Sequence, residues 1–301
     1  MCQVIEFARA IRLSHTLFAL PFALGTVLLA EPPCPKWRAL ALLLACMATA
    51  RTAAMGMNRI ADAALDARNP RTADRAIPAG RLSRRAAIAM TLASGAAFIA
   101  AAWGFYLLRG NWWPGVLAPV FLAILFGYSW TKRFTVLAHW VLGLCLGLAP
   151  VGVWIALRGE ITLVPVAIGA AVMLWTAGFD IFYAFQDIEV DRREGLHSVP
   201  ARFGPKAARG AAVCCHVWTV ALLIAAEREY NLVPGNVNLL VSLAVLFIIA
   251  AALVVQHLRA RHATTEQIGA MFFPLNAFVS IMWLAGVTAD VLFSRQIFMW
   301  L

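Results

Sequence analysis

The chain has 301 residues, of which 62% are hydrophobic and only 13% charged, and its mean hydropathy is +0.78. Soluble domains carry about 25% charged residues, so this composition excludes an ordinary soluble protein and points to an all-α, polytopic membrane protein. The net charge of +10 would suit nucleic acid, but its placement along the chain reads as membrane topology, and no nucleic-acid partner is expected.

Apolar runs of about 20 residues, the length that crosses a hydrocarbon core as a helix, fall at 14–30, 39–60, 86–108, 114–131, 136–157, 161–183, 210–227, 238–256 and 268–293. Backbone in lipid must satisfy its own hydrogen bonds. The expected fold is therefore nine transmembrane helices around a central cavity, forming one domain over residues 1–301. The first run follows a basic start, as a secretory leader would. It leads directly into further spans, however, and Ala30-Glu31-Pro32-Pro33 is a poor cleavage context, so it is read as the first helix.

With the N-terminus in the cytoplasm, most basic residues fall on the cytoplasmic side: Arg9, Arg12, seven arginines between 59 and 85, Lys132, Arg133, Arg192, Arg193, Arg202, Lys206, Arg209, Arg259 and Arg261. The other side holds Lys36, Arg38, Arg109, Arg158, Arg228 and Arg295, and Arg51 lies inside a span. This asymmetry predicts a cytoplasmic N-terminus in a bacterial-type cytoplasmic (inner) membrane. The six cysteines show no metal-ligand spacing and read as small packing residues.

Two polar stretches interrupt the apolar pattern. The first carries Asn58, Asp62, Asp66 and Asn69, then Arg71, Arg75, Pro78 and Gly80; the second carries Asp180, Tyr183, Gln186, Asp187, Asp191, Gly195, Ser198 and Pro200. Positions four apart on a helix rotate by about 40° and rise about 6 Å, so Asn58, Asp62 and Asp66 share a face. Asp180, Asp187 and Asp191 are expected to do the same, with Tyr183 close by. Asn69-Pro70 and Ile77-Pro78 oppose continuation of the first helix. A carboxylate at mid-membrane costs roughly 2.5–3.5 kcal/mol, so these groups are expected to face a polar cavity. Oxygen ligands without His or Cys suit Mg²⁺, and the nearby Arg59, Arg68, Arg71, Arg75, Lys132 and Arg133 suit phosphate oxygens. Both motifs fall on the cytoplasmic side, so a Mg²⁺-diphosphate site opening to the cytoplasm is the expectation. His15 is balanced between polarising a substrate and packing; His139, His197, His216, His257 and His262 show no ligand spacing. Trp112-Trp113 read as an interfacial belt, and Gly143 with Gly147 as a GxxxG for close helix packing or dimerisation.

The pattern N-x3-D-x3-D followed by R-T-x2-R-x-I-P-x-G, then D-x2-Y-A-x-Q-D-x3-D and G-x2-S-x-P-x-R-F-G, resembles the UbiA superfamily of intramembrane prenyltransferases. It is most similar to the 4-hydroxybenzoate polyprenyltransferase group. The Arg12-x2-His15 opening and Tyr128-Ser-Trp-Thr-Lys132-Arg133 belong to the same resemblance. It implies that Asn58, Asp62 and Asp66 hold one Mg²⁺ against a polyprenyl diphosphate and that Asp187 and Asp191 hold a second. It further implies that Arg71, Arg75, Lys132 and Arg133 neutralise the diphosphate, that Asp180 and Tyr183 line the cavity, and that Arg12 meets the carboxylate of an aromatic acid acceptor. Loss of diphosphate would give an allylic cation attacked by a ring carbon. A carboxylate would then remove the ring proton, Asp191 being one candidate. The expected role is in quinone biosynthesis.

Arg59 stands directly after Asn58 where many ubiquinone-pathway members have Asp. This resembles a side branch that includes enzymes prenylating 1,4-dihydroxy-6-naphthoate for menaquinone. Two rivals compete. A phosphatidyl-alcohol transferase needs D-G-x2-A-R, which is missing here; a cation-coupled transporter predicts acids deep in broken helices rather than clustered at one face.

Overall fold

A computed structural model describes residues 3–11, 18–32, 35–231, 239–262 and 265–298, and every regular element among them is helical. The helices are α1 (Gln3–Ala10), α2 (Ala19–Ala30), α3 (Trp37–Arg68), α4 (Arg84–Arg109), α5 (Trp113–Thr131) and α6 (Ala138–Arg158). There follow α7 (Leu163–Tyr183), α8 (Ile188–Arg193), α9 (Val199–Asn231), α10 (Leu239–His262) and α11 (Thr265–Phe298). Among the described residues eight helical stretches are long and apolar enough to cross a bilayer, and α2 is a shorter apolar helix of 12 residues. Of the expected first span, 14–30, residues 19–30 form α2, and residues 14–17 lie outside the described residues.

Large apolar side chains point outward as well as inward: Trp37, Leu107 and Phe247 are 74, 86 and 75% exposed. Water would not tolerate such a surface on a monomer; lipid favours it. The chain is an integral membrane protein.

Helix α7 is the axle of the bundle, packed between α6 and α9, with Ile168, Val172, Trp175 and Ile181 fully buried. Lipid supplies little hydrophobic drive between helices, so close approach depends on small residues. Gly143 and Gly147 of α6 supply it: a Cβ on Gly143 would collide with the carbonyl oxygen of Met173, and one on Gly147 with that of Gly169. The GxxxG therefore serves packing within the chain. Phe22 stacks on Trp283 at 4.9 Å and tilts against Trp175 at 5.2 Å, fastening α2 and α11 to α7.

Helix α9 starts at Val199, eleven residues before the expected span at 210–227. Gly204 (φ 81°, ψ 168°) and Pro205 kink it instead of ending it.

Candidate active site

Helix α3 delivers Asn58, Asp62 and Asp66 in its last three turns and ends at Asn69, which adopts extended backbone (φ −101°, ψ 116°) before Pro70. A chain of turns then brings the loop back over the helix end: Thr72 N–H donates to Asn69 O (2.9 Å), and Thr72 Oγ1 to Asp66 O (3.2 Å). This curl aims Arg71 and Arg75 at the carboxylates. Arg75 Nη1 reaches both oxygens of Asp66, at 2.7 and 2.8 Å.

Asp62 is 4% exposed. Its Oδ2 accepts from Asn58 Nδ2 (3.1 Å) and faces Lys132 Nζ at 3.3 Å, while Arg133 Nη2 stands 3.6 Å from Oδ1. That buried Oδ1 accepts no hydrogen bond. Lys132 and Arg133 come from the end of α5, which is tied to the second motif by His197 N–H donating to Lys132 O at 2.7 Å.

The second motif departs from the expected single helix face. Helix α7 stops at Tyr183, residues Ala184–Asp187 form a 3₁₀ turn, and α8 follows. Four residues wound at three per turn add about 80° of rotation relative to an α-helix. Asp187 and Asp191 are swung off the face that carries Asp180. Asp187 turns instead toward the first motif. Arg71 Nε donates to its Oδ1 (3.0 Å), Arg71 Nη2 pairs with its Oδ2, and Asn69 Nδ2 also donates to Oδ1 (3.0 Å). Arg71 Nη1 donates to Tyr183 Oη at 3.2 Å, and the guanidinium lies 5.4 Å from the Tyr183 ring centre. Burial works against the Arg71 cation, but the hydrogen bond and charge of Asp187, with Tyr183 behind them, outweigh it and strengthen its hold on the proton. Arg68 Nε pairs with Glu194 at 2.7 Å, and Arg193 Nη2 donates to Arg68 O at 2.8 Å. Asp191 is buried. The two motifs thus form one interlocked acid–base cluster.

Beneath this cluster lies a cavity of about 420 Å³. Its polar end is bordered by Asn58, Arg59, Arg75, Tyr128, Asp180 and Tyr183; its walls are apolar, with Phe98, Phe105, Leu117, Phe121 and Val153 among them. Asp62, Asp66, Asp187 and Asp191 do not border it. They sit behind the residues that do, the first three capped by cationic partners. Arg51, assigned no role from the sequence, also borders the cavity. It stands seven residues before Asn58 on α3, about 10 Å deeper along the helix. Arg59 borders the cavity while its Nε donates to Ala10 O (3.1 Å), anchoring the end of α1. At the far end Arg109 pairs with Glu31 (Nη2 to Oε2, 2.8 Å) and donates to Leu157 O (3.3 Å), while Asn111 Nδ2 donates to Ile155 O (2.7 Å). The ends of α2, α4 and α6 are knotted there. The expected acceptor contacts Arg12 and His15 lie outside the described residues.

Sequence spacing missed His139. This residue of α6 is 4% exposed and its Nδ1 lies 2.6 Å from Asp180 Oδ2. The contact spans 41 positions between two helices, beyond any local motif. His216 and His257 likewise meet at 2.9 Å between α9 and α10.

The donor set fits a hard divalent cation. It is oxygen-rich, and Asp62 Oδ1 is buried with an unused lone pair. Among the described residues no three His, Cys, Asp or Glu side chains converge into a ready cage. A cation here would complete its shell with water and ligand oxygens, as Mg²⁺ characteristically does.

Fold and site together define a polytopic helical membrane protein whose apolar chamber ends in a carboxylate–guanidinium cluster at one face. The chain belongs to the UbiA prenyltransferase family, whose profile matches residues 19–284. It is 29% identical over 204 residues to 4-hydroxybenzoate octaprenyltransferase of Photobacterium profundum, covering 67% of this chain and 68% of that one. Two further relatives named for 4-hydroxybenzoate prenyl transfer are matched over 56 and 42% of their length. Among solved structures, a UbiA homolog from Aeropyrum pernix in its apo form superposes with a TM-score of 0.79 at 34% identity, covering 93% of this chain and 98% of that one. A UbiA homolog from Archaeoglobus fulgidus bound to GPP and Mg²⁺ shares the fold (TM-score 0.70, 20% identity, 95% and 99% covered). Membership in a prenyltransferase family sets the transporter alternative aside.

Proposed function

We propose that this protein transfers a polyprenyl group from its diphosphate to a ring carbon of a small aromatic acid, 4-hydroxybenzoate, with Mg²⁺ and in the service of quinone biosynthesis. The observation that carries this reading is the chamber itself: an apolar space ending in interlocked carboxylates and guanidiniums. The names of the matched relatives support the acceptor, and the GPP and Mg²⁺ bound to the fold neighbour support the donor class and the metal.

Asn58, Asp62 and Asp66 would hold one Mg²⁺, Asp187 and Asp191 a second. Bound there, the metal would draw off charge as the diphosphate leaves. Each of Asp62, Asp66 and Asp187 faces a cation that suits phosphate. Donor binding would exchange partners: Arg71, Arg75, Lys132 and Arg133 turn from carboxylate to diphosphate oxygens, with no net charge left unpaired. The apolar walls would hold the prenyl chain and keep water from quenching the allylic cation. Arg12 and His15 remain acceptor contacts in this reading, and Arg51 adds a cation at a depth that suits the acceptor carboxylate. Basic residues on the acidic-motif side support a cytoplasmic opening in a bacterial-type cytoplasmic membrane.

Arg59 beside Asn58 favours a second acceptor, 1,4-dihydroxy-6-naphthoate, with the same chemistry. An acceptor screen by mass spectrometry, with membranes, Mg²⁺ and a polyprenyl diphosphate, decides between them. A product mass from neither compound would refute the reading.

A further inference from the structure

We propose that His139 is the positioning residue for the proton-accepting carboxylate, and that this carboxylate is Asp180; the inference rests on the prenyl-transfer reading above. Asp180 borders the cavity whereas Asp191 does not. Its Oδ2 lies 2.6 Å from His139 Nδ1, and its Oδ1 accepts no described hydrogen bond.

The tautomer of His139 follows from its other nitrogen. Val199 N–H, at the start of α9, donates to His139 Nε2 at 3.2 Å. An acceptor nitrogen carries no proton, so the imidazole is neutral with its hydrogen on Nδ1, donated to Asp180. His139 is 4% exposed, so this arrangement is sealed from competing water. The result is an anionic Asp180 clamped through one oxygen, with the other presented to the chamber.

Transfer needs no reagent beyond the prenyl diphosphate and the aromatic acid. The C1–O bond of the prenyl diphosphate breaks and its electron pair leaves with diphosphate. An aromatic ring carbon supplies the pair for the new C–C bond. The ring C–H pair then returns to the ring, and the proton passes to Asp180 Oδ1. His139 keeps its own proton throughout.

Two substitutions separate this role from mere packing. Asn places an amide donor near the Nδ1 position and keeps the bond to Asp180; Gln reaches the Nε2 position and keeps the bond from Val199. The test uses full-length protein in lipid nanodiscs with Mg²⁺, a polyprenyl diphosphate, and 4-hydroxybenzoate or the naphthoate, each also deuterated at the substituted ring position. Expected are near wild-type kcat for His139→Asn and a loss on the order of 10²-fold for His139→Gln. Donor KM should be unchanged in both, and a ring-deuterium isotope effect should emerge only in His139→Gln. Wild-type transfer with equal rates and no isotope effect in the two variants overturns the proposal alone. No transfer by the wild type overturns the underlying reading and the proposal with it.

Discussion

Arg71 clasps Asp187 through two of its nitrogens across 116 positions of sequence, and so locks the loop after α3 to the 3₁₀ turn after α7. A planar fork matches a carboxylate in a way that an ammonium does not. Replacing Arg71 by Lys is therefore expected to cost about 1.5–3 kcal/mol of the interaction, and to raise donor KM by roughly tenfold or more. Initial rates at varied polyprenyl diphosphate concentration check this. An Arg71→Lys enzyme with unchanged donor KM would contradict it.

Chelation of divalent cations should abolish transfer, and added Mg²⁺ should restore it. Asn58 donates to Asp62 Oδ2 and so orients Oδ1, which accepts no hydrogen bond. Asn58 is itself one of the proposed Mg²⁺ ligands, so Asn58→Ala should raise the Mg²⁺ concentration for half-maximal rate by at least the about 10–100-fold that even the partners of a ligand contribute. Full activity in Asp62→Ala or Asp187→Ala, measured at saturating Mg²⁺, would remove the two-metal assignment.

Arg51→Ala should raise acceptor KM by about tenfold, the worth of one charge-assisted hydrogen bond, and leave donor KM alone. A rise in donor KM instead would place Arg51 with the diphosphate.

Gly143→Ala should lower the thermal stability of the detergent-solubilised protein by about 1–3 kcal/mol, because the added methyl meets the rigid Met173 carbonyl rather than a flexible side chain. It should also slow transfer, since α6 carries His139 and α7 carries Asp180. Unchanged melting would mean that the two helices can separate without loss.

The first acidic motif was legible in the sequence because its geometry is local. Asn58, Asp62 and Asp66 lie on one unbroken helix, and Asn69-Pro70 announces the end of that helix. The second was legible only in composition. Ala184–Asp187 contains neither Gly nor Pro, so nothing in the residues signals the tighter winding that turns Asp187 toward Arg71. At Gly204-Pro205 a helix-breaking pair is present, yet the chain is helical on both sides of it and kinks between them. His139 with Asp180, and Glu31 with Arg109, were hidden because each joins helices far apart in sequence.

The Arg109–Glu31 knot has a bioenergetic consequence. A chamber that starts among charges at one face and runs toward the other is half of an ion conduit, and each elementary charge crossing 100 mV dissipates about 2.3 kcal/mol. The Arg109–Glu31 pair and the Asn111 hydrogen bond fasten α2, α4 and α6 at that far end, so opening a path there would have to part them.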